Sequence, residues 1–315
     1  MRVSVFGAGT MGHALALVFA LGGHTVRLTD SDAGTLARAQ GLMETALAML
    51  VAAGEVDAAW TPAKLAATVT RCATVAETLV GAELIVEAII EQPEAKRALF
   101  AEIAALADEN VILASNTSYL DIFPLVPERL QRRTLIAHWY TPPYLVDLCD
   151  IVGSDQTDPA VIETVRDIVA AMGKKPVVMK RFISGYIANR LQSALSLEVN
   201  RLLDEGYATP RDIDDAVLHG LALRLPILGH LAKADFTGLK LSRDVMANKT
   251  YEPPPVRGHS ETLDALLADG RSGVLSGRGY FDWGGRDATE LFQERDRKLL
   301  ALKRALRDIG PMEGS

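Results

Sequence analysis

The stretch Val3-Ser4-Val5-Phe6-Gly7-Ala8-Gly9-Thr10-Met11-Gly12 decides the fold of this 315-residue chain. A short apolar run of strand composition meets a Gly-x-Gly-x-x-Gly turn, and an apolar helical stretch follows it (Ala14, Leu15, Val18, Phe19, Leu21). A second strand-like run, Thr25-Val26-Arg27-Leu28-Thr29, ends on Asp30, eighteen residues past Gly12. Alone, such a hexapeptide is often only a turn; between a strand and a helix, with an acid at this remove, it has the context of a dinucleotide-binding βαβ unit. Gly7 permits the tight turn, Gly9 lets the backbone approach a pyrophosphate, and Gly12 lets the helix pack closely. The helix N-terminus, with Thr10 and Met11 leading into it, then faces the phosphates.

Asp30 is placed to accept hydrogen bonds from a ribose 2′-OH. Asp32 stands close behind and no Arg directly follows Asp30, so a 2′-phosphate would meet negative charge. NAD is therefore expected over NADP, the alternative being an Asp that merely starts a turn.

Composition narrows the class. With 49% hydrophobic residues the chain can bury a large core, and its 315 residues suggest about two domains at roughly 100–200 residues each. A net charge of −7 without a basic run argues against nucleic acid as a partner. No stretch reaches the ~18 consecutive apolar residues of a membrane helix, and no charged leader precedes an apolar segment, so a soluble cytoplasmic protein with a small-molecule substrate is expected. Cys72 and Cys149 lie far apart without metal-ligand spacing, which indicates neither a disulfide framework nor a metal site.

Along the chain, the pattern predicts helices over Ala33 to Ala53 and Pro62 to Ala67, then a strand near Thr68-Val69-Thr70. Leu84 to Ile89 is a near-continuous apolar run suited to a buried parallel strand, and Glu91 follows it. Pro93 opens a helix to about Leu106. The strand Val111-Ile112-Leu113-Ala114 stops at Ser115-Asn116-Thr117-Ser118. Loops at the carboxyl ends of such strands line the ligand crevice, which makes Glu91 and Ser118 candidates. Leu135-Ile136-Ala137 delivers His138, Pro142-Pro143 turns the chain, and Leu148 to Val152 carries Asp150. A helix from Pro159 to Met172 and a strand Pro176 to Met179 close a domain of residues 1–184, with Ser184-Gly185 as boundary. Residues 185–315 read as helical: Tyr186 to Glu205, Pro210 to Leu218, Ile227 to about Ala247, Glu261 to Ala268 and Thr289 to Arg307. The expected fold is an α/β Rossmann-type doubly wound sheet followed by an all-α C-terminal domain.

Oxidising an alcohol by hydride transfer requires a base, and His suits that task near neutral pH. Of the six His, His138 ends a strand with Asp150 twelve residues on across the Pro-Pro turn. Two adjacent strands could there join carboxylate to imidazole. A core histidine beside an unrelated acid fits the spacing equally well.

Several separate motifs are similar to those of the 3-hydroxyacyl-CoA dehydrogenase family over nearly the whole chain. Gly7 to Gly12 resembles its cofactor turn; Val86-Glu87-Ala88-Ile89-Ile90-Glu91 with Lys96 resembles a segment contacting the nicotinamide half of NAD. Ser115-Asn116-Thr117-Ser118 resembles the substrate-side loop, and His138 with Pro142 the catalytic-histidine segment. Asp150 stands where the family carries Glu. Gly185-Tyr186-Ile187-Ala188-Asn189-Arg190 resembles the entry to the second domain, and Leu275 to Asp282 the closing Gly-rich signature.

The resemblance implies that His138 takes the proton from a 3-hydroxyl, that Asp150 supports it, and that Ser118 and Asn189 hydrogen-bond the reacting oxygen. It also implies that Ala88, Glu91, Lys96 and Asn116 join Asp30 and the glycine turn around NAD, and that the chain forms a homodimer. Ser118 as a turn residue and Asn189 as a helix cap remain open on the residues alone. The segment from His138 to Pro143 departs from the usual pattern, with Trp139, Thr141 and Pro143 replacing Phe, Asn and an aliphatic residue. It looks nearer to branches acting on free hydroxy acids such as gulonate or carnitine, and to a pyridine-carboxylate dehydrogenase. The arm segment Val51 to Asp57, basic in CoA-using relatives, has two acids and no base, so substrates with and without CoA both stay open. A crystallin-like role without turnover is disfavoured by the intact His138, Ser118 and Asn189. A 6-phosphogluconate-type enzyme is disfavoured because no Lys precedes Lys233 in the second domain.

Overall fold

A computed structural model describes residues 1–249 and 251–312. Contacts divide the chain into two compact units, Met1–Ala188 and Asn189–Ser315.

The first unit holds one eight-stranded sheet. Its elements are β1 (Arg2–Phe6), α1 (Gly12–Leu21), β2 (Thr25–Thr29), α2 (Ala33–Ala52), α3 (Pro62–Thr68), β3 (Val69–Arg71), α4 (Val75–Leu79), β4 (Leu84–Glu87), α5 (Pro93–Leu106), β5 (Ile112–Ser115), α6 (Glu128–Gln131), β6 (Thr134–Trp139), β7 (Leu148–Gly153), α7 (Pro159–Ala171) and β8 (Lys175–Met179). The strand order is β3-β2-β1-β4-β5-β6-β7-β8. All neighbours run parallel except β6 and β7, which form an antiparallel pair. After β1 the chain winds outward through β2 and β3, then returns to place β4 on the other flank of β1. That reversal opens a crevice at the carboxyl ends of β1 and β4, the place where doubly wound sheets bind ligands.

The parallel strands are apolar because helices cover both faces. Side chains alternate between faces along a strand, and one face shows an ordered change from apolar to polar. Ile85, Leu113, Ile136 and Val152 form an apolar row inside a core shared with Phe100 and Ile103 of α5. Two residues nearer the carboxyl edge of the parallel strands stand Glu87, Ser115, His138 and Asp150, all buried. The same face that holds the sheet together thus ends in a line of polar groups.

The second unit contains α8 (Ala188–Asp204), α9 (Pro210–Ala216), a π-helical stretch Val217–Ala222, α10 (Leu225–Leu228), α11 (Leu231–Thr237), α12 (Leu239–Ala247), α13 (Glu261–Ala268) and α14 (Ala288–Ile309). Where the sequence pattern predicts one helix from Ile227 to about Ala247, there are three short ones. Gly229 (φ 63°) and Gly238 (φ 90°) adopt backbone angles that no α-helix contains, and each ends a helix. The predicted helix start at Tyr186 is also displaced: Tyr186 itself takes φ 49°, a left-handed conformation, and the helix begins two residues later. Helix α4 has no counterpart in the predicted elements, being a five-residue turn with Thr74 as its cap. Among the described residues no helix is long and apolar enough to cross a membrane.

Candidate active site

The glycine turn follows β1 at the crevice. A Cβ on Gly7, whose φ is 93°, would sit 2.4 Å from the carbonyl oxygen of Ala88, and one on Gly12 would sit 1.7 Å from that of Gly7. Both positions are closed to any side chain. Gly9 is the opposite case, with no heavy atom within 4 Å of where its Cβ would be. Helix α1 also lacks a side-chain cap, whereas Asp32, Thr61, Thr74 and Asp158 cap α2, α3, α4 and α7. An uncapped helix start beside open glycine backbone leaves N–H donors for an anion. A cleft of about 670 Å³ adjoins it, lined among others by Gly9, Asp30, Asp32, Thr35 and Ile90. These features fit a dinucleotide.

Asp30 does more than close β2. Its Oδ2 accepts the Ala8 N–H at 2.6 Å and its Oδ1 accepts the Asp32 N–H at 2.8 Å, so it pins the glycine turn. Asp32 accepts the N–H and hydroxyl of Thr35, which hold its carboxyl below the usual range. His13, in the first turn of α1, bonds the Gly9 carbonyl at 2.6 Å through Nδ1. Burial lowers its pKa despite that bond.

At the end of β4, Glu87 is fully buried and triply held. The Lys96 ammonium lies 2.6 Å from Oε1, the Ile89 N–H donates to the same oxygen at 2.9 Å, and the Ser115 hydroxyl donates to Oε2 at 2.5 Å. Lys96 also lies 3.3 Å from Oε2 of Glu91. Glu91 in turn accepts the Thr117 hydroxyl at 2.6 Å and the backbone N–H groups of Ser118 and Tyr119 at 2.7 and 3.1 Å. Burial alone would raise the Glu91 pKa; the Thr117 bond, the Lys96 charge and the two N–H groups outweigh it and leave a net lowering. The carboxylate is therefore a fixed anion that shapes the turn carrying Ser118. Asn116 accepts the Trp139 N–H at 2.8 Å and so ties this turn to β6.

Strands β6 and β7 pair His138 with Asp150 directly across the antiparallel ladder. Opposite residues share a face, and both side chains are buried. Nδ1 of His138 lies 3.8 Å from Oδ2 of Asp150, an ion-pair distance longer than a hydrogen bond. The two adjacent strands bring carboxylate and imidazole together without a direct hydrogen bond between them. Two tyrosines frame the imidazole: the Tyr140 ring stands edge-on with centroids 4.6 Å apart, and the Tyr186 ring tilts over it at 4.8 Å. The Tyr186 hydroxyl donates to the Thr117 carbonyl at 2.6 Å. The Thr141 hydroxyl donates to Met11 Sδ at 3.0 Å, joining the histidine segment to the glycine turn.

The first unit thus brings together Gly7, Gly9, Met11, Gly12 and Asp30 around the turn, and Ala88, Glu91, Lys96, Asn116, Ser118, His138 and Asp150 along the carboxyl edge. Thr10 is exposed at the turn. Asn189 opens the second unit, in the first turn of α8. Lys96 is sealed from solvent at 1% exposure, so its charge is spent on Glu87 and Glu91. Sequence reasoning passed over Tyr140, Tyr186, Thr117 and the Glu87–Ser115 bond. One signal was available: Glu87 is an acid in the otherwise apolar run Leu84 to Ile89, at the end of β4, and an acid buried there needs a cation.

Residues 2–182 match the NAD-binding domain of 3-hydroxyacyl-CoA dehydrogenase, and residues 185–283 match that enzyme's C-terminal domain. These matches define an NAD-dependent dehydrogenase acting on CH–OH groups. The chain belongs to the 3-hydroxyacyl-CoA dehydrogenase family. It is 28% identical to 5-formyl-3-hydroxy-2-methylpyridine 4-carboxylate 5-dehydrogenase of Mesorhizobium japonicum, over 97% of this chain and 98% of that one. It is 30% identical to L-carnitine dehydrogenase of Nocardiopsis dassonvillei, over 99% of this chain and 94% of the relative. Among solved structures, an NAD⁺-dependent 5-formyl-3-hydroxy-2-methylpyridine 4-carboxylic acid 5-dehydrogenase superposes with a TM-score of 0.86 at 27% identity, covering 99% of both chains.

Proposed function

We propose that this enzyme oxidises the hydroxyl of a small free carboxylate rather than of a CoA thioester. Two observations support the reading. Relatives matching nearly end to end are named for a pyridine carboxylate and for carnitine. The connection between α2 and α3, residues 53–61, carries Glu55 and Asp57 and no Lys or Arg. Coenzyme A bears several phosphates, and an acidic arm without a cation repels them.

In this mechanism the glycine turn, the start of α1 and Asp30 would hold NAD, whose nicotinamide would supply the hydride acceptor. His138 accepts the hydroxyl proton. Asp150, 3.8 Å away, stabilises the imidazolium so formed, and need only do so electrostatically. Ser118, on the turn fixed by Glu91, supplies a hydrogen bond to the oxygen as its charge develops. The row of buried groups excludes water from the imidazole.

The substrate class is tested by following NAD reduction with free 3-hydroxy acids, carnitine and gulonate included, against L-3-hydroxybutyryl-CoA. Turnover is expected with a free acid. A kcat/KM of about 10⁴ M⁻¹s⁻¹ or above on the CoA ester, the common enzyme range, would overturn the reading.

Cofactor choice follows from Asp30 and Asp32. Calorimetry is expected to show NAD binding several-fold or more tightly than NADP; equal dissociation constants would contradict the role given to these carboxylates. We also propose a homodimer through the second unit, whose α10 to α12 expose Leu231, Phe236, Leu239 and Met246. A contiguous patch of such side chains is rare on monomers. Light scattering at micromolar concentration should give about twice the 33.9 kDa chain mass, and a monomer would refute it.

A further inference from the structure

Tyr140 touches both members of the His138–Asp150 pair. Its hydroxyl donates to Oδ2 of Asp150 at 2.6 Å, and Oδ2 is also the carboxylate oxygen that faces Nδ1 of His138 at 3.8 Å. Its ring packs edge-on against the imidazole. Meanwhile Nδ1 of His138 and Oδ1 of Asp150 are buried without a hydrogen-bond partner. The phenol has taken the strong bond that the imidazole lacks.

The surroundings make this contest consequential. His138 faces Asp150 from β7, Tyr140 from just beyond β6, and Tyr186 from the segment after β8. Burial first, then the charges of Glu91 and Asp150, pushes the Tyr186 hydroxyl far above the neutral range. Burial and the Asp150 charge likewise push the neighbouring Cys149 thiol up. Both stay uncharged, and Lys96 is absorbed by Glu87 and Glu91. Among these groups, Asp150 is the charge that acts directly on the imidazole. A donor bonded to a carboxylate stabilises the anion and draws off part of the charge a neighbouring cation would feel.

We propose that Tyr140 is a positioning residue: it anchors Asp150 opposite His138 and shares the carboxylate oxygen that faces the imidazole. The proposal rests on the reading of His138 as the base.

The test is Tyr140→Phe, which keeps the ring and deletes only the hydroxyl. Released from the phenol, Asp150 favours the imidazolium more. The acid limb of kcat/KM for alcohol oxidation is then expected to move to higher pH, by about half a unit or more, while the high-pH plateau of kcat changes by less. In an Asp150→Asn background the same substitution should leave the limb in place, since Tyr140 acts through that carboxylate. A purely structural role would lower activity evenly and leave the limb unmoved. Titration of isotope-labelled histidine by NMR gives a readout free of turnover, with the His138 signal assigned by its loss in His138→Gln. Its midpoint should rise in Tyr140→Phe, and an unchanged midpoint overturns the proposal. Should the midpoint rise while His138→Ala remains fully active, the coupling stands and the assignment of the base falls.

Discussion

His138→Ala is expected to lower kcat by about 10²–10⁴-fold, the range that general-base catalysis supplies, and to leave NAD affinity nearly unchanged. The separation of effects comes from the fold. The cleft beside the glycine turn is lined by that turn and by residues at the ends of β1 and β2, the start of α2, Ala73, Val75 and the segment 88–102, whereas His138 lies three strands from β1 across the sheet. A loss confined to kcat marks a group that acts in the transition state. Because His138 is buried, Ala also opens a void; His138→Gln fills it and should be nearly as inactive. Steady-state kinetics beside NAD calorimetry checks both, and turnover surviving in either variant would remove His138 from the role of base.

The second large effect concerns stability. Lys96→Met is expected to cost about 3–5 kcal/mol, the usual penalty for stripping the partner from a buried charge. Glu87 would keep the Ile89 N–H and the Ser115 hydroxyl but lose its neutralising cation. Replacing both, as Lys96→Met with Glu87→Gln, should recover much of the loss, since a matched pair of neutral groups avoids the unpaired charge. Urea denaturation of the single and double variants measures this. Equal stability of Lys96→Met and the unaltered chain would show that Glu87 takes up a proton at little cost. The single variant should also loosen the turn at Ser118, because Lys96 is one of the groups that hold Glu91 ionised.

Much of the first unit was legible because its signals are local. β1 and β5 are apolar runs that stop at Gly7 and Asn116, and α5 and α13 have their predicted bounds, with Pro93 and Ser260 marking their starts. The second unit was less legible between Ile227 and Ala247, where helical spacing of Leu, Phe and Met persists through Gly229 and Gly238. Periodicity cannot tell a glycine tolerated inside a helix from one that ends it.

For the site, positions at strand ends could be named, but not the partners chosen there. That His138 and Asp150 face each other depends on the β6–β7 register, and that they stand at 3.8 Å depends on where Tyr140 places its hydroxyl. Tyr186 shows the same limit. Its left-handed backbone angle turns the ring back over His138, and nothing in Gly185-Tyr186-Ile187 announces that turn.

In its proposed role Asp30 reads the cofactor, and in the structure it staples the glycine turn through the N–H groups of Ala8 and Asp32. The two duties cannot be exchanged one at a time. A drift toward NADP that begins by losing the carboxylate first releases two amides and slackens the phosphate turn, so the intermediate binds either cofactor poorly. The more passable path keeps Asp30 and gains a cation at Ser31, which adjoins the same cleft. On the proposed reading, cofactor preference in this chain is hard to change one residue at a time, because the residue that would set it also holds the turn.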